Sequence, residues 1–180
     1  MRHTISVMVK NQAGVLSRVS NLFSARGYNI DSLVVGVTDD PKISRITIVV
    51  RGDERIIDQV EKQLNKLIDV IKVVDLTHDD FISRDLALIK VKAEAHTRSQ
   101  VMEIVQCFDG KIVDVALKSF IIEVTGKESK INAMVELLKN YGVLEMVRTG
   151  EVAISRGKKV HEEEGPKVKM RAGKAGQANL

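Results

Sequence analysis

The hydrophobic residues of this 180-residue chain change period in the same order twice, and few folds accommodate that pattern. A strand half buried in a sheet repeats every two residues, and a helix lying on the sheet every 3.6. Ile5, Val7 and Val9 alternate with polar neighbours; after Gly14 the apolar positions become Val15, Leu16, Val19, Leu22 and Phe23, with Gly27 as a stop. The stretches 30–37 and 43–51 predict two strands joined by a turn at Asp39, Asp40 and Pro41. Helical spacing returns at Ile56, Ile57, Val60, Leu64, Leu67 and Ile68, before Ile71 and Val73 predict a fourth strand. The order is βαββαβ.

Residues 77–85 carry three Asp, a His and a Ser with no sustained period, which predicts a linker. Beyond it the order recurs: a strand at 86–94, a helix with Val101, Met102, Val105 and Phe108 inward, a turn at Asp109 and Gly110, and strands at 112–117 and 120–124. A second helix places Ile131, Met134, Val135 and Leu138 on one face, and a last strand starts near Val143. An α+β chain of two tandem ferredoxin-like βαββαβ domains is the simplest account. The expected division is 1–77 and 86–155 for the domains, 78–85 for the linker, and 156–180 for a basic, glycine-containing tail with too few large apolar side chains to order itself.

Composition removes several functions. The most apolar stretches, near 46–50 and 120–124, are about five residues long against the roughly 20 that cross a bilayer. Met1 and Arg2 lead almost directly into a strand pattern, so no cleavable leader and a cytoplasmic setting are expected. The net charge of +4 resides in the tail, where seven basic residues meet three acidic ones, and the body is balanced. That balance, with only four Phe and two Tyr, argues against a nucleic-acid partner, since this fold binds RNA through stacked aromatics. Cys107 has no second cysteine to pair with and reads as a buried, inert thiol; the four histidines lack the paired spacing of a zinc site, so no metal on this chain is expected. His3, His78, His96 and His161 form no nucleophile–base pattern, and Asp39 and Asp40 read as a turn, so no catalytic residue is expected.

The turn between the first strand and helix, Lys10-Asn11-Gln12-Ala13-Gly14-Val15-Leu16, carries the clearest chemistry. Asn11 donates and accepts hydrogen bonds, and Gly14 lets a ligand approach the first amides of the helix. A carboxylate there meets unpaired N–H groups and the positive end of the helix dipole, a term of about 0.3–1 kcal/mol that needs several hydrogen bonds beside it. The competing reading has Asn11 merely capping the helix and Gly14 merely easing a turn. Asn29, after Gly27 and Tyr28, is either ordinary turn chemistry or a group facing a neighbour if subunits pair edge to edge.

The segment KNQAGVLSRVSNLFSARGYNIDSL and the βαβ after it resemble an ACT domain, a module that binds amino acids at subunit interfaces. The whole run 1–157, with Arg148-Thr149-Gly150, Ala153 and Arg156-Gly157 at its end, resembles the small regulatory subunits of acetolactate synthase. The resemblance implies a catalytic large subunit that uses thiamine diphosphate, magnesium and FAD in branched-chain amino-acid synthesis, with none of those cofactors on this chain. It also implies that the small subunit raises large-subunit activity and confers feedback inhibition by L-valine, bound between ACT domains of a homodimer. By matching positions, Asn11, Gly14, Val15 and Leu16 supply the effector loop of one subunit, and Asn29 and Ile30 the facing strand of the other. The second domain is implied to serve dimerisation and communication. The tail after Gly157 is longer than in bacterial members of the family.

Two rivals carry distinct expectations. A free-standing ACT sensor would share the pocket and regulate another enzyme. An acylphosphatase-like hydrolase would use Gly14-Val15-Leu16-Ser17-Arg18 to cradle a phosphate, but Arg18 falls one turn into an amphipathic helix, where a solvated position is expected.

Overall fold

The computed structural model describes residues 1–157; the segment 158–180, which holds most of the expected flexible tail, lies outside the described residues. The first domain is β1 (Arg2–Lys10), α1 (Val15–Ser24), β2 (Ile30–Val37), β3 (Ile43–Arg51), α2 (Glu54–Leu64) and β4 (Val70–Asp75). Its antiparallel sheet runs β2-β3-β1-β4. The second domain is β5 (Phe81–Lys92), α3 (Arg98–Cys107), β6 (Lys111–Val115), β7 (Ser119–Gly126), α4 (Glu128–Lys139), β8 (Val143–Arg148) and β9 (Val152–Ser155). Its strands run β6-β7-β5-β8, and β9 pairs with the start of β5. Both units are ferredoxin-like, with two helices packed on one face of each sheet. Among the described residues no helix is long and apolar enough to cross a membrane.

Each core forms where the two periods meet. In the first, Ile5, Val7 and Val9 of β1 and Ile46, Ile48 and Val50 of β3 meet Val15, Val19 and Phe23 of α1 and Ile57, Val60 and Leu64 of α2. In the second, Ala87, Ile89 and Val91 of β5 and Phe120, Ile122 and Val124 of β7 meet Val101 and Val105 of α3 and Ile131, Met134 and Leu138 of α4. Each fully buried Leu, Ile or Phe contributes about 1.5–3 kcal/mol of transfer free energy. Asp53 caps α2 by accepting from the Ile56 amide at 2.8 Å. α1 starts differently: its cap is Gly14, at φ 83°, with no side-chain hydrogen bond.

Several expectations need correction. The stretch 78–85 is not all linker, because Phe81–Arg84 already pair with Val152–Ser155. The polar side chains there hide a strand whose partner lies some seventy residues later, and β9 itself was not foreseen. Cys107 is exposed rather than buried, because it follows Val105 by two helical positions and so points away from the face that Val101 and Val105 bury. Met102, expected inward, is 44% exposed because, one position after Val101, it falls on the flank of that face. Ile68 is 85% exposed because α2 ends at Leu64, four residues before it.

Candidate effector site

The loop from Asn11 to Gly14 is held by the turn between β2 and β3. The Asn11 amide donates to the Lys42 carbonyl at 2.7 Å, and its side-chain Nδ2 donates to the Pro41 carbonyl at 2.9 Å. Asn11 therefore does not cap α1, and its side chain braces the loop. Gly14 takes the left-handed backbone conformation that lets the chain enter the helix directly, and space around its Cα is open. The Val15 amide donates to the Gln12 carbonyl at 3.3 Å and the Arg18 amide to the Gly14 carbonyl at 3.0 Å, while the Leu16 and Ser17 amides between them have no acceptor one turn back within the helix, so that exposed end presents donors and positive potential together. Val15 is buried and Leu16 is 44% exposed, which leaves an apolar side chain beside those donors. Arg18 is exposed, as expected, but not simply solvated. Its Nη2 lies 2.7 Å from Oδ2 of the buried Asp69, a charge contact rather than an aligned hydrogen bond.

Asn29 and Ile30 lie elsewhere. Strand register sets Ile30 opposite Val50 and Val50 opposite His3, at the far end of the sheet from Lys10. The other end of β2, Val37, pairs with Ser44, which faces Val9. At about 3.3 Å per strand residue, Asn29 and the Gly14 loop are separated by roughly 25 Å along the sheet. A single chain does not bring the two groups together. β2 is an edge strand, paired within the described residues on one side only, and it exposes Val35 and Val37 at 41% and 59%.

Asn29 opens instead on a cleft of about 580 Å³ between the two domains, bordered also by Arg2, Asp31, Arg51, Arg148 and Glu151. Its Nδ2 donates to Asp31 Oδ1 at 3.2 Å, and Asp31 Oδ2 accepts from Arg51 Nε at 2.6 Å. That hydrogen bond and the Asp31 charge raise the pKa of Arg51 above its ordinary value. The loop between β8 and β9 forms the opposite wall. Buried Asp85 fixes it by accepting from Arg148 Nε at 2.7 Å and from the Gly150 amide at 3.2 Å.

Glu151 carries this loop onto the first domain. It is 7% exposed, and its carboxylate accepts from Arg2 Nη2 at 2.7 Å and from Thr4 Oγ1 at 3.1 Å. Its amide donates to Ser32 Oγ of β2 at 3.2 Å. A buried carboxylate persists only with such partners. These contacts, with Gly150 beside Ser32 and Val34, connect the strand that carries Asn29 and Ile30 to the second domain. Sequence reading singled out Arg148-Thr149-Gly150 without a role and missed Ser32 and Glu151, which lie 119 positions apart. It also missed the convergence of His3, Asp75 and His78, whose potential ligand atoms all lie within 4.8 Å of one another.

Comparison with known proteins agrees with this architecture. The family model for the small subunit of acetolactate synthase matches residues 84–157, and the model for the ACT domain of such subunits matches residues 5–72. The chain is 50% identical over 159 residues to the probable acetolactate synthase small subunit of Archaeoglobus fulgidus, spanning 88% of this chain and 99% of that one. It is 54% identical over 155 residues to the acetolactate synthase small subunit of Mycobacterium leprae, spanning 86% and 92%. The crystal structure of the acetolactate synthase small subunit from Thermotoga maritima superposes with a TM-score of 0.81 at 41% identity, covering 87% of this chain and 98% of that one. With two domain matches in tandem and relatives at half identity over nearly their full length, the chain belongs to the small regulatory subunits of acetolactate synthase.

Proposed function

We propose that this chain activates the catalytic large subunit of acetolactate synthase and makes it subject to feedback inhibition by L-valine held between the ACT domains of two copies. The observation that carries the reading is the separation of the two half-sites along the free β2 edge. Antiparallel pairing of two β2 strands about a two-fold axis sets the Ile30 end of one copy against the Val37 end of the other, which is level with the partner's Gly14 loop. Two equivalent sites result. At each, the effector carboxylate meets the amide donors at the start of α1, and the ammonium meets Asn11 or Asn29 oxygens or backbone carbonyls. The isopropyl group packs among Val15, Leu16 and Ile30.

An effector seated across the pair acts by favouring one packing of the two ACT domains over another. A coupling of about 1–3 kcal/mol changes activity roughly 5- to 150-fold. The Ser32–Glu151 contact gives β2 a direct route to the second domain. In this reading thiamine diphosphate, magnesium and FAD serve the large subunit, none of them on this chain, and the enzyme acts in the cytoplasm. The test combines light scattering of the isolated chain with assay of the reconstituted enzyme. A dimer and valine inhibition that requires this chain are expected. A stable monomer that still conferred full valine sensitivity would eliminate the intersubunit site.

A further inference from the structure

Three side chains that the effector reading does not use meet where the first domain passes into the second. His3 lies on β1, Asp75 ends β4, and His78 sits on the turn that leads toward β5. His3 is 1% exposed, and its Nε2 is buried without a hydrogen-bond partner. Its Nδ1 stands 3.4 Å from Asp75 Oδ2, long for a hydrogen bond. That spacing matches the edge of a tetrahedron, about 3.3–3.4 Å for metal bonds of about 2.0–2.1 Å.

The surroundings orient the carboxylate in the same sense. Asp75 Oδ1 accepts from the Thr77 amide at 2.9 Å and from the Thr77 hydroxyl, which itself accepts from the Thr4 amide at 3.0 Å. Oδ2 is left facing His3, an arrangement in which outer partners aim a ligand. The exposed His78 ring lies edge-on to His3 with centroids 6.3 Å apart, and rotation of that solvent-facing side chain closes the set.

We propose that His3, Asp75 and His78 bind one Zn²⁺ per chain, with the fourth position open to water, as a clip that fastens the interdomain turn to β1. Two imidazoles and one carboxylate suit zinc, whereas magnesium and calcium select oxygen ligands. The expectation of no metal on this chain rested on local spacing, and His3 and Asp75 are 72 positions apart.

The test uses the full-length chain, stripped with a chelator, then dialysed against Zn²⁺ for stoichiometry and titrated with Co²⁺ followed by visible absorption. His78→Ala removes an exposed ligand without disturbing the core; His96→Ala and Cys107→Ser remove exposed groups outside the cluster. One equivalent of Zn²⁺ is expected in the native chain and in both controls, with a tetrahedral Co²⁺ spectrum and at least about tenfold weaker binding in His78→Ala. Absence of binding at micromolar Zn²⁺, or equal affinity in His78→Ala, overturns the site.

Discussion

Replacing Gly150 with alanine tests whether the second domain is seated on β2. Gly150 has φ +88°, and a Cβ there falls 2.3 Å from Ser32 Oγ and 3.1 Å from Val34 Cγ2. The backbone conformation costs an L-residue about 1–2 kcal/mol. Ordinary contact further requires Ser32 Oγ to rotate away or the loop to retreat by about 1 Å, and either movement breaks the bond from the Glu151 amide. A buried amide left without its acceptor costs about 1–3 kcal/mol, so together with the backbone strain Gly150→Ala destabilises domain docking by about 2–5 kcal/mol. In a Ser32→Ala background the nearest clash is gone and the next β2 atoms stand at 3.1 and 3.6 Å, so the same substitution costs mainly its backbone strain. The four proteins of this double-mutant cycle, compared by urea unfolding and by hydrogen exchange of the Glu151 amide, should be coupled by about 1–3 kcal/mol. Additivity within about 0.5 kcal/mol would refute the proposed contact.

Asn29→His is expected to weaken the valine response of the reconstituted enzyme while leaving activation by this chain nearly unchanged, as measured by valine titration and by activity at saturating small subunit. Loss of activation instead would assign the start of β2 to the large-subunit contact. Glu61→Gln addresses electrostatics. A carboxyl whose folded pKa is raised above its unfolded value disfavours the folded state once it ionises, so this contribution falls as pH rises through the window between the two values. The Gln variant should therefore be more stable than the native chain at neutral pH in chelator, with the advantage shrinking as pH falls below that window. Urea midpoints that differ equally at every pH would contradict the assignment.

Much of the fold was legible because each helix and most strands carry their period locally. Val15, Val19 and Phe23, or Ile131, Met134 and Leu138, mark their inward faces with no help from distant partners. Likewise Gly14 was legible as a loop position, since one glycine before an apolar helix has few local roles. What remained hidden depends on pairing across the chain. The first residues of β5 look aperiodic until β9 pairs with them, and Glu151 looks like a surface acid until Arg2, Thr4 and Ser32 surround it. His3 looks like a lone histidine until β4 brings Asp75 alongside β1. Asn29 and the Gly14 loop show the same limit one level higher, because a single chain does not bring them together.

The central claim is that an amino-acid carboxylate docks at the start of α1, and calorimetric titration of L-valine tests it most directly. Gly14→Asp and Gly14→Asn are well matched: both residues tolerate a left-handed backbone, the space around Gly14 is open, and at nearly equal size they exchange a charged acceptor for a neutral amide. Native chain and Gly14→Asn should bind L-valine in preference to glycine or D-valine, and Gly14→Asp should lose at least tenfold in affinity, equivalent to about 1.4 kcal/mol of like-charge repulsion. Equal affinity in the Asp and Asn variants would contradict the account, because a negative charge at position 14 would then be invisible to the ligand.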